Sequence, residues 1–185
     1  MKRLYSFIFV LLLITAGCST EKNIKIESTR IQKPSKAAEQ NTMPKTMPNA
    51  FNFMVRYGYG TVNKNEINTF QGTATKDLIM NGTASAKIAF TKEEMISIYE
   101  KMREINIMAM KELEPAVKGC ERVPYSEDTW EININGETKT FTWTDKYCEL
   151  SEDAERVLEL REYIQSIVEA KQEYINLPES EGGYD

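Results

Sequence analysis

Histidine is absent from the 185 residues of the chain. Without an imidazole, the sequence lacks the commonest general base, every Ser-His or Cys-His nucleophile and the usual ligands of catalytic zinc. It also lacks the phosphate-binding patterns G-x-x-x-x-G-K-[ST] and G-x-G-x-x-G, the nucleophile pattern G-x-S-x-G and the calcium-loop pattern. We therefore predict no catalytic residue, no metal site and no cofactor.

Carboxylates are plentiful by contrast, with 28 Asp and Glu residues in the chain. Two carboxylates in one cleft are enough for glycoside hydrolysis, provided that the pKa of one is raised. The two acidic clusters, SEDTWE and LSEDAE, fall at a predicted strand start and a predicted helix N-terminus, where acidic residues need no ligand to explain them. A carboxylate-based hydrolase is therefore the less favoured alternative.

Long apolar runs are scarce, and the clearest one lies at the N-terminus. Lys2 and Arg3 precede LYSFIFVLLLIT, an apolar stretch of about a dozen residues from Leu4 to Thr15. A membrane-spanning helix needs about 20 apolar residues. We therefore interpret residues 1–17 as a secretory signal peptide and not as a permanent membrane span.

The stretch TAGC, from Thr15 to Cys18, resembles the lipobox of bacterial lipoproteins. The resemblance implies that the signal peptide is removed just before Cys18 and that Cys18 carries acyl chains such as palmitate. Two or three such chains give stable anchoring, at about 0.8 kcal/mol per buried CH₂ group. The alternative is an ordinary N-terminal helix with a chance cysteine.

This resemblance implies an exported protein that is anchored by lipid to the cell membrane. The Lys/Glu/Ile/Asn-rich composition favours the outer face of a Gram-positive membrane, while Ser19 is compatible with sorting to a Gram-negative outer membrane. Residues 18–50 contain three prolines and no apolar periodicity. We predict that they form a flexible tether with a reach of about 30 Å.

Beyond the tether the chain is acidic, with 15 basic and 25 acidic residues from Phe51 onward and a formal charge of −10. Because phosphate binding needs a positive surface, we expect no nucleic-acid partner. We predict a single domain over residues 51–178, followed by a loose acidic tail over residues 179–185.

Two cysteines, Cys120 and Cys148, are left as an even pair in an exported domain, where disulfides persist. We predict a disulfide between them. The alternative is two separate buried thiols.

Alternating apolar and polar residues predict three strands in the first half of the domain. The first is FNFMVRYGYG, the second covers residues 67–75 with a bulge at Gly72, and the third covers residues 83–90. Asn81-Gly82 suggests a hairpin turn before the third strand. A two-residue turn there would place Asp77 opposite Ala86 on the apolar face, which disfavours that register.

Asn135-Gly136 predicts a second hairpin with a type I′ turn, which pairs Ile134 with Glu137, Ile132 with Lys139 and Trp130 with Phe141. One face of this hairpin is apolar and the other is polar. A carbohydrate-stacking role for Trp130 and Trp143 is the alternative to a role in the core, which the clean alternation favours.

Helical spacing of apolar residues predicts two helices. A capping box of Thr91 and Glu94 begins the first, over residues 92–105, and Ser151 caps the second, which should extend to about Tyr174. Together these elements predict an α+β fold with an antiparallel sheet of four to five strands and two helices packed on one face.

Two polar stretches near strand ends are candidates for a binding edge. These residues are Thr73, Lys76, Asp77, Asp145, Lys146 and Tyr147. The alternative is that they are ordinary exposed strand and turn residues.

The stretches YGYG, NTFQGTATKDL, IYEKM and LPESEGGY make the exported part similar to uncharacterised small lipoproteins of Firmicutes. This similarity implies a lipoprotein setting and brings no catalytic residues. We interpret the protein as a membrane-tethered, non-catalytic binding or accessory module whose partner is an envelope protein or a small ligand. An inhibitor, immunity or envelope-assembly lipoprotein is the alternative.

Overall fold

The alternating stretch that begins at Phe51 forms the central strand of a six-stranded sheet in a computed structural model, which describes residues 41–184. The strands are β1 (Phe51–Tyr59), β2 (Asn65–Asn68), β3 (Thr73–Asp77), β4 (Thr83–Lys87), β5 (Ser126–Ile134) and β6 (Glu137–Thr144). Their order across the sheet is β4-β3-β2-β1-β5-β6, and every neighbouring pair is antiparallel. The helices are α1 (Lys92–Glu104), α2 (Glu152–Glu169) and the short α3 (Gln172–Ile175).

The hairpin of β5 and β6 has the register that the sequence predicts. Trp130 pairs with Phe141, and Ile134 pairs with Glu137. Asn135 and Gly136 both have positive φ angles, of 53° and 87°, as a type I′ turn requires. The predicted hairpin is confirmed.

The sheet has six strands instead of the predicted four to five, because the strand expected over residues 67–75 is divided by a turn. The backbone N–H of Phe53 donates to the Thr69 hydroxyl (2.8 Å), and the N–H of Gln71 donates to Asn68 Oδ1 (3.1 Å). Gly72 has a φ of +62° and lies in this turn, not in a bulge. These side-chain to backbone hydrogen bonds favour a turn over a continuous ladder.

A five-residue connection joins β3 to β4. Asp77 pairs with Thr83 and Ala74 pairs with Ala86, so the register that would place Asp77 opposite Ala86 is not adopted. The N–H of Leu78 donates to the carbonyl of Gly82 (2.9 Å) and closes the connection.

Local capping begins both long helices. The N–H of Thr91 donates to the Glu94 carboxylate (2.8 Å) and the N–H of Glu94 donates to the Thr91 hydroxyl (3.1 Å), so the predicted capping box is confirmed. Ser151 caps α2, which ends at Glu169 and not near Tyr174. Lys171 leaves the helical conformation with a ψ of 136°, and its ammonium binds the Glu94 carboxylate at 2.8 Å.

The core lies between one face of the sheet and both long helices. The largest fully buried side chains come from strands, helices and the segment after α1: Trp130, Tyr99, Phe53, Ile67, Ile98, Met102, Ile107, Ile132, Ile164, Val55, Val157 and Val168. The predicted α+β class is therefore correct. Lys139 reaches the edge of this core, where its ammonium donates to the carbonyls of Ile107 (2.9 Å), Met108 (3.1 Å) and Met110 (2.6 Å).

The folded part begins before Phe51, where the sequence places the end of the tether. Met43 is buried in the core, Asn41 Nδ2 donates to the carbonyl of Arg103 (2.5 Å), and the Tyr99 hydroxyl donates to the carbonyl of Pro44 (2.9 Å). The predicted signal peptide, Cys18 and residues 19–40 of the tether lie outside the described residues. Within residues 41–184, no helix has the length and apolar character needed to cross a membrane.

Candidate functional site

Strand direction brings most of the predicted binding residues to one end of the sheet. Because β1, β3 and β6 run in the same direction, their C-terminal ends lie at the same end. We define the sheet end as the surface formed by Tyr59, Lys64, Lys76, Asp77, Tyr125, Asp145, Lys146, Tyr147 and Tyr184. Thr73 is not part of it, since it begins β3 at the other end of that strand, opposite Lys87.

The predicted residues form two separate groups within the sheet end. Lys76 and Asp77 lie on β3, whereas Asp145, Lys146 and Tyr147 follow β6. Strands β2, β1 and β5 lie between β3 and β6. With about 4.8 Å between neighbouring strands, the two groups are about 19 Å apart. A single small ligand is too short to contact both groups at once.

Asp77 is the polar centre of the first group and is only 8% exposed. The Tyr184 hydroxyl donates to Asp77 Oδ2 (2.6 Å) and accepts from the Lys64 ammonium (3.0 Å). The N–H of Ile79 donates to Asp77 Oδ1 (2.8 Å), and Lys64 Nζ lies 3.8 Å from the same oxygen. The hydrogen bond to Tyr184, followed by the charge of Asp77, raises the pKa of Lys64.

The C-terminal residues, which the sequence indicates as a loose tail, pack along this first group. The Lys76 ammonium lies 3.1 Å from the Glu179 carboxylate, and the Ser180 hydroxyl donates to the carbonyl of Asp77 (2.6 Å). The N–H of Met80 donates to the carbonyl of Glu181 (3.2 Å). The described tail residues are therefore bound along the connection between β3 and β4, and Lys76 and Asp77 contact them.

Three tyrosines, Tyr59, Tyr125 and Tyr184, lie near the end of β1. The rings of Tyr59 and Tyr184 stack with 4.6 Å between centroids and an interplanar angle of 12°. The N–H of Gly60 donates to the carbonyl of Tyr125 (2.8 Å). All three tyrosines are half-buried, so each presents part of its side chain to solvent while the rest is packed.

The second group is held by a disulfide. Cys120 and Cys148 are bonded, with 5.4 Å between their Cα atoms, and the predicted disulfide is confirmed. The bond holds the segment before β5 next to the segment after β6. Asp145 Oδ1 accepts from the N–H of Ser126 (2.5 Å), and the Lys146 ammonium lies 3.0 Å from Glu121.

A buried ion pair, which is not among the residues predicted as functional, lies on the core side of the sheet. Asp128 on β5 is 1% exposed and pairs across strands with Tyr57 and Trp143. The Arg161 guanidinium on α2 donates from Nε to Asp128 Oδ2 (3.3 Å) and lies 5.3 Å from the centre of the Tyr57 ring. Burial raises the pKa of Asp128 to about 6, although Arg161 opposes the shift. Burial also raises the pKa of Tyr57.

A signal for this ion pair exists in the sequence. The hairpin register predicted from Asn135-Gly136 can be continued away from the turn, where it pairs Asp128 with Trp143. This pairing places an acidic side chain on the apolar face of the hairpin. Arg161 lies in the apolar stripe of the predicted second helix. An acid and a base on facing apolar surfaces predict a buried pair.

A groove of about 410 Å³ lies between α1 and α2. Ile105 and Leu160 contribute its apolar lining, and its charged lining is of mixed sign: Lys101, Glu104, Arg156 and Glu159. Arg156 already pairs with Glu152, and the Lys101 ammonium lies over the ring of Tyr163. In residues 41–184, no three His, Cys, Asp or Glu side chains are grouped to hold a metal ion.

Known proteins provide no further guide to this surface. No protein-family model matches the chain, and no curated protein is similar enough to count as a relative. The sheet end offers aromatic rings, carboxylates and ammonium groups on a surface held by a disulfide and a sheet.

Proposed function

We propose that this protein is an exported lipoprotein, anchored through Cys18, that acts as a non-catalytic binding or accessory module and recognises its partner through the sheet end. The observation that carries this proposal is the position of five of the six candidate residues at one end of the sheet, beside half-buried tyrosines. Tyrosine supplies large contact area with little side-chain entropy to lose, which suits a binding surface.

The path of the chain supports the same surface. Residues 41–50 enter the domain at the start of β1, where the N–H of Asn135 donates to the carbonyl of Ala50 (2.9 Å). The sheet end lies at the other end of β1, about 30 Å away for a strand of nine residues. The chain therefore enters β1 at the end of the sheet that is opposite the proposed binding surface.

The sheet end favours a protein partner over nucleic acid. Its charges are of both signs, and the domain from Phe51 onward has a formal charge of −10. Phosphate backbones need a positive surface. Aromatic side chains surrounded by charges of both signs are typical of surfaces that bind other proteins.

Site-specific photocrosslinking on intact cells tests the proposed surface. A benzophenone side chain replaces Lys146 in one version of the lipoprotein and Glu137, at the opposite end of the sheet, in a matched control. We expect mass spectrometry to find one reproducible envelope protein crosslinked from position 146 and absent from position 137. Equal capture from both positions, or capture from 137 alone, contradicts the proposed surface.

A second experiment tests the anchor. Cys18→Ser should move the protein from the membrane fraction to the medium or periplasm, or leave it as unprocessed precursor. A processed form that stays on the membrane contradicts lipid anchoring through Cys18. If the crosslinked partner is lost from the secreted form, the anchor supplies the local concentration that binding needs.

A further inference from the structure

The C-terminal segment, residues 177–184, is bound by the domain in the manner of a peptide ligand. Its backbone forms a parallel bridge between Glu181 and Ile79. The N–H of Met80 donates to the carbonyl of Glu181 (3.2 Å), and the N–H of Glu181 donates to the carbonyl of Leu78 (3.4 Å). Main-chain pairing of this kind is how extended peptides add to a folded domain.

Side chains on both sides of this bridge fix the position of the segment. Glu179 pairs with the Lys76 ammonium at 3.1 Å, and Glu181 accepts from the Asn81 amide at 3.2 Å. Tyr184 is the anchor, since its hydroxyl bonds Asp77 and Lys64 and its ring stacks on Tyr59. The segment therefore contributes two acidic contacts and one aromatic contact in a fixed order.

Gly182 explains why the segment passes so close to the domain. It has a φ of +95°, and a Cβ built there would lie 2.7 Å from Met80 Cγ. Any larger residue would need both an unfavourable backbone conformation and a shift of Met80. Gly182, which directly follows the second acid, is therefore part of the recognised pattern.

The receiving surface has its own contacts that do not involve the segment. The N–H of Asp77 donates to Asn65 Oδ1 (2.9 Å), the N–H of Ile79 donates to Asp77 Oδ1 (2.8 Å), and the N–H of Leu78 donates to the carbonyl of Gly82 (2.9 Å). These bonds hold the connection between β3 and β4 in shape. The surface is thus prepared to receive a peptide when the segment leaves.

We propose that Tyr59, Lys64, Lys76, Asp77 and the connection 78–81 form a peptide-binding site for an extended acidic segment with the pattern Glu-x-Glu-Gly-x-Tyr. The chain's own C-terminal segment fills this site, and a segment of the same chemistry on a partner protein displaces it. The inference depends on the proposed function only for the role of the site in the cell. A failure of the crosslinking or anchoring experiment therefore leaves peptide binding intact.

A titration with a synthetic peptide tests the site. The probe is fluorescein-labelled LPESEGGYD, and the protein is the full exported chain as wild type and as Tyr184→Ala, with fluorescence anisotropy as the measurement. We expect the peptide to bind the variant at least about tenfold more tightly than the wild type, because the intact segment competes at a high effective concentration. A peptide in which alanine replaces the tyrosine should lose this binding.

Further variants separate the site from general effects. Lys76→Met in the Tyr184→Ala background should weaken binding, whereas Lys92→Ala, at the exposed start of α1 and outside the sheet end, should not. If Tyr184→Ala does not fold, Glu179→Lys with Glu181→Lys weakens the segment through two exposed side chains and carries the same expectation. Absence of peptide binding to a folded variant, or equal binding of both peptides, would overturn the proposal.

Discussion

Arg161 on α2 and Asp128 on β5 form an ion pair between helix and sheet, with 3.3 Å between Nε and Oδ2. The Asp128 side chain is 1% exposed and that of Arg161 is 14% exposed. The guanidinium continues outward, donating to Gln165 Oε1 (2.9 Å), and Gln165 donates to Glu169 (2.7 Å). The pair thus connects a carboxylate on the core side of the sheet to the exposed side of α2.

Asp128 makes the stability of the domain depend on pH. Its pKa in the folded protein is about 6, above the ordinary value of 3.8, so the folded state holds this proton more tightly than the unfolded state. The contribution of Asp128 to the free energy of unfolding is therefore greatest below about pH 4 and falls as the pH rises to about 6. From pH 4 to pH 7, the free energy of unfolding of Asp128→Asn should therefore increase relative to that of wild type by about 2 kcal/mol.

Urea unfolding of both proteins at several pH values from 4 to 7 measures this difference. Glu137→Gln removes an exposed carboxylate and serves as a control, for which we expect no such trend. Parallel stability curves for wild type and Asp128→Asn would show that the buried carboxyl does not titrate in this range.

Lys139 stabilises the irregular segment after α1 through three carbonyl groups. Lys139→Met keeps the length of the side chain but leaves the carbonyls of Ile107, Met108 and Met110 without their ammonium donor. We expect a loss of about 2–3 kcal/mol in the free energy of unfolding, since hydrogen bonds to charged groups are the stronger ones. Lys87→Met is the matched control, because its ammonium contacts one exposed carbonyl, that of Gln71. Equal stabilities of the two variants would contradict the prediction.

The disulfide should stabilise the domain mainly by restricting the unfolded chain. Cys120 and Cys148 are 28 residues apart, and closing a loop of this size contributes about 3.5 kcal/mol on a chain-entropy basis. Replacing both cysteines with serine should lower the free energy of unfolding by that amount, which is measured as a shift of guanidinium unfolding to lower concentration. Dithiothreitol should produce the same shift in wild type and none in the double variant. Unchanged unfolding on reduction is the result that argues against this role.

Gly136 should be sensitive to a side chain because of its backbone conformation. Its φ is +87°, and a Cβ there would meet no other atom within 4 Å. Backbone strain alone therefore decides how a side chain at this position changes stability. We expect Gly136→Ala to cost about 1 kcal/mol of stability. Gly119→Ala provides the comparison, since Gly119 does not have a positive φ. Thermal unfolding of the two variants measures the difference, and equal melting temperatures would mean that the turn relaxes without cost.

Elements fixed by local chemistry were predictable from the sequence. The Asn135-Gly136 turn sets the register of β5 with β6, and the Thr91 capping box sets the start of α1. The cysteine pair followed from its even number in a chain that is predicted to be exported. In the hairpin and the capping box, the residues that decide the structure lie close together in the chain. In the disulfide, they are of a residue type that is rare in this chain.

Features that depend on distant contacts were not predictable in the same way. The turn between β2 and β3 depends on the hydrogen bond that the Phe53 N–H donates to the Thr69 hydroxyl, and the end of α2 coincides with contact between Lys171 and Glu94. The bound C-terminal segment depends on Asp77, more than one hundred residues earlier in the chain. Local composition alone makes that segment, with its glycines and acids, look like an unattached tail.

The placement of the chain entry and the sheet end at opposite ends of β1 has a mechanical consequence. A pull between residues 41–50 and the sheet end would act along the axis of β1. The hydrogen bonds that join β1 to β2 and β5 would then be sheared together and not opened one after another. Force in this direction would spread over the whole length of the central strand.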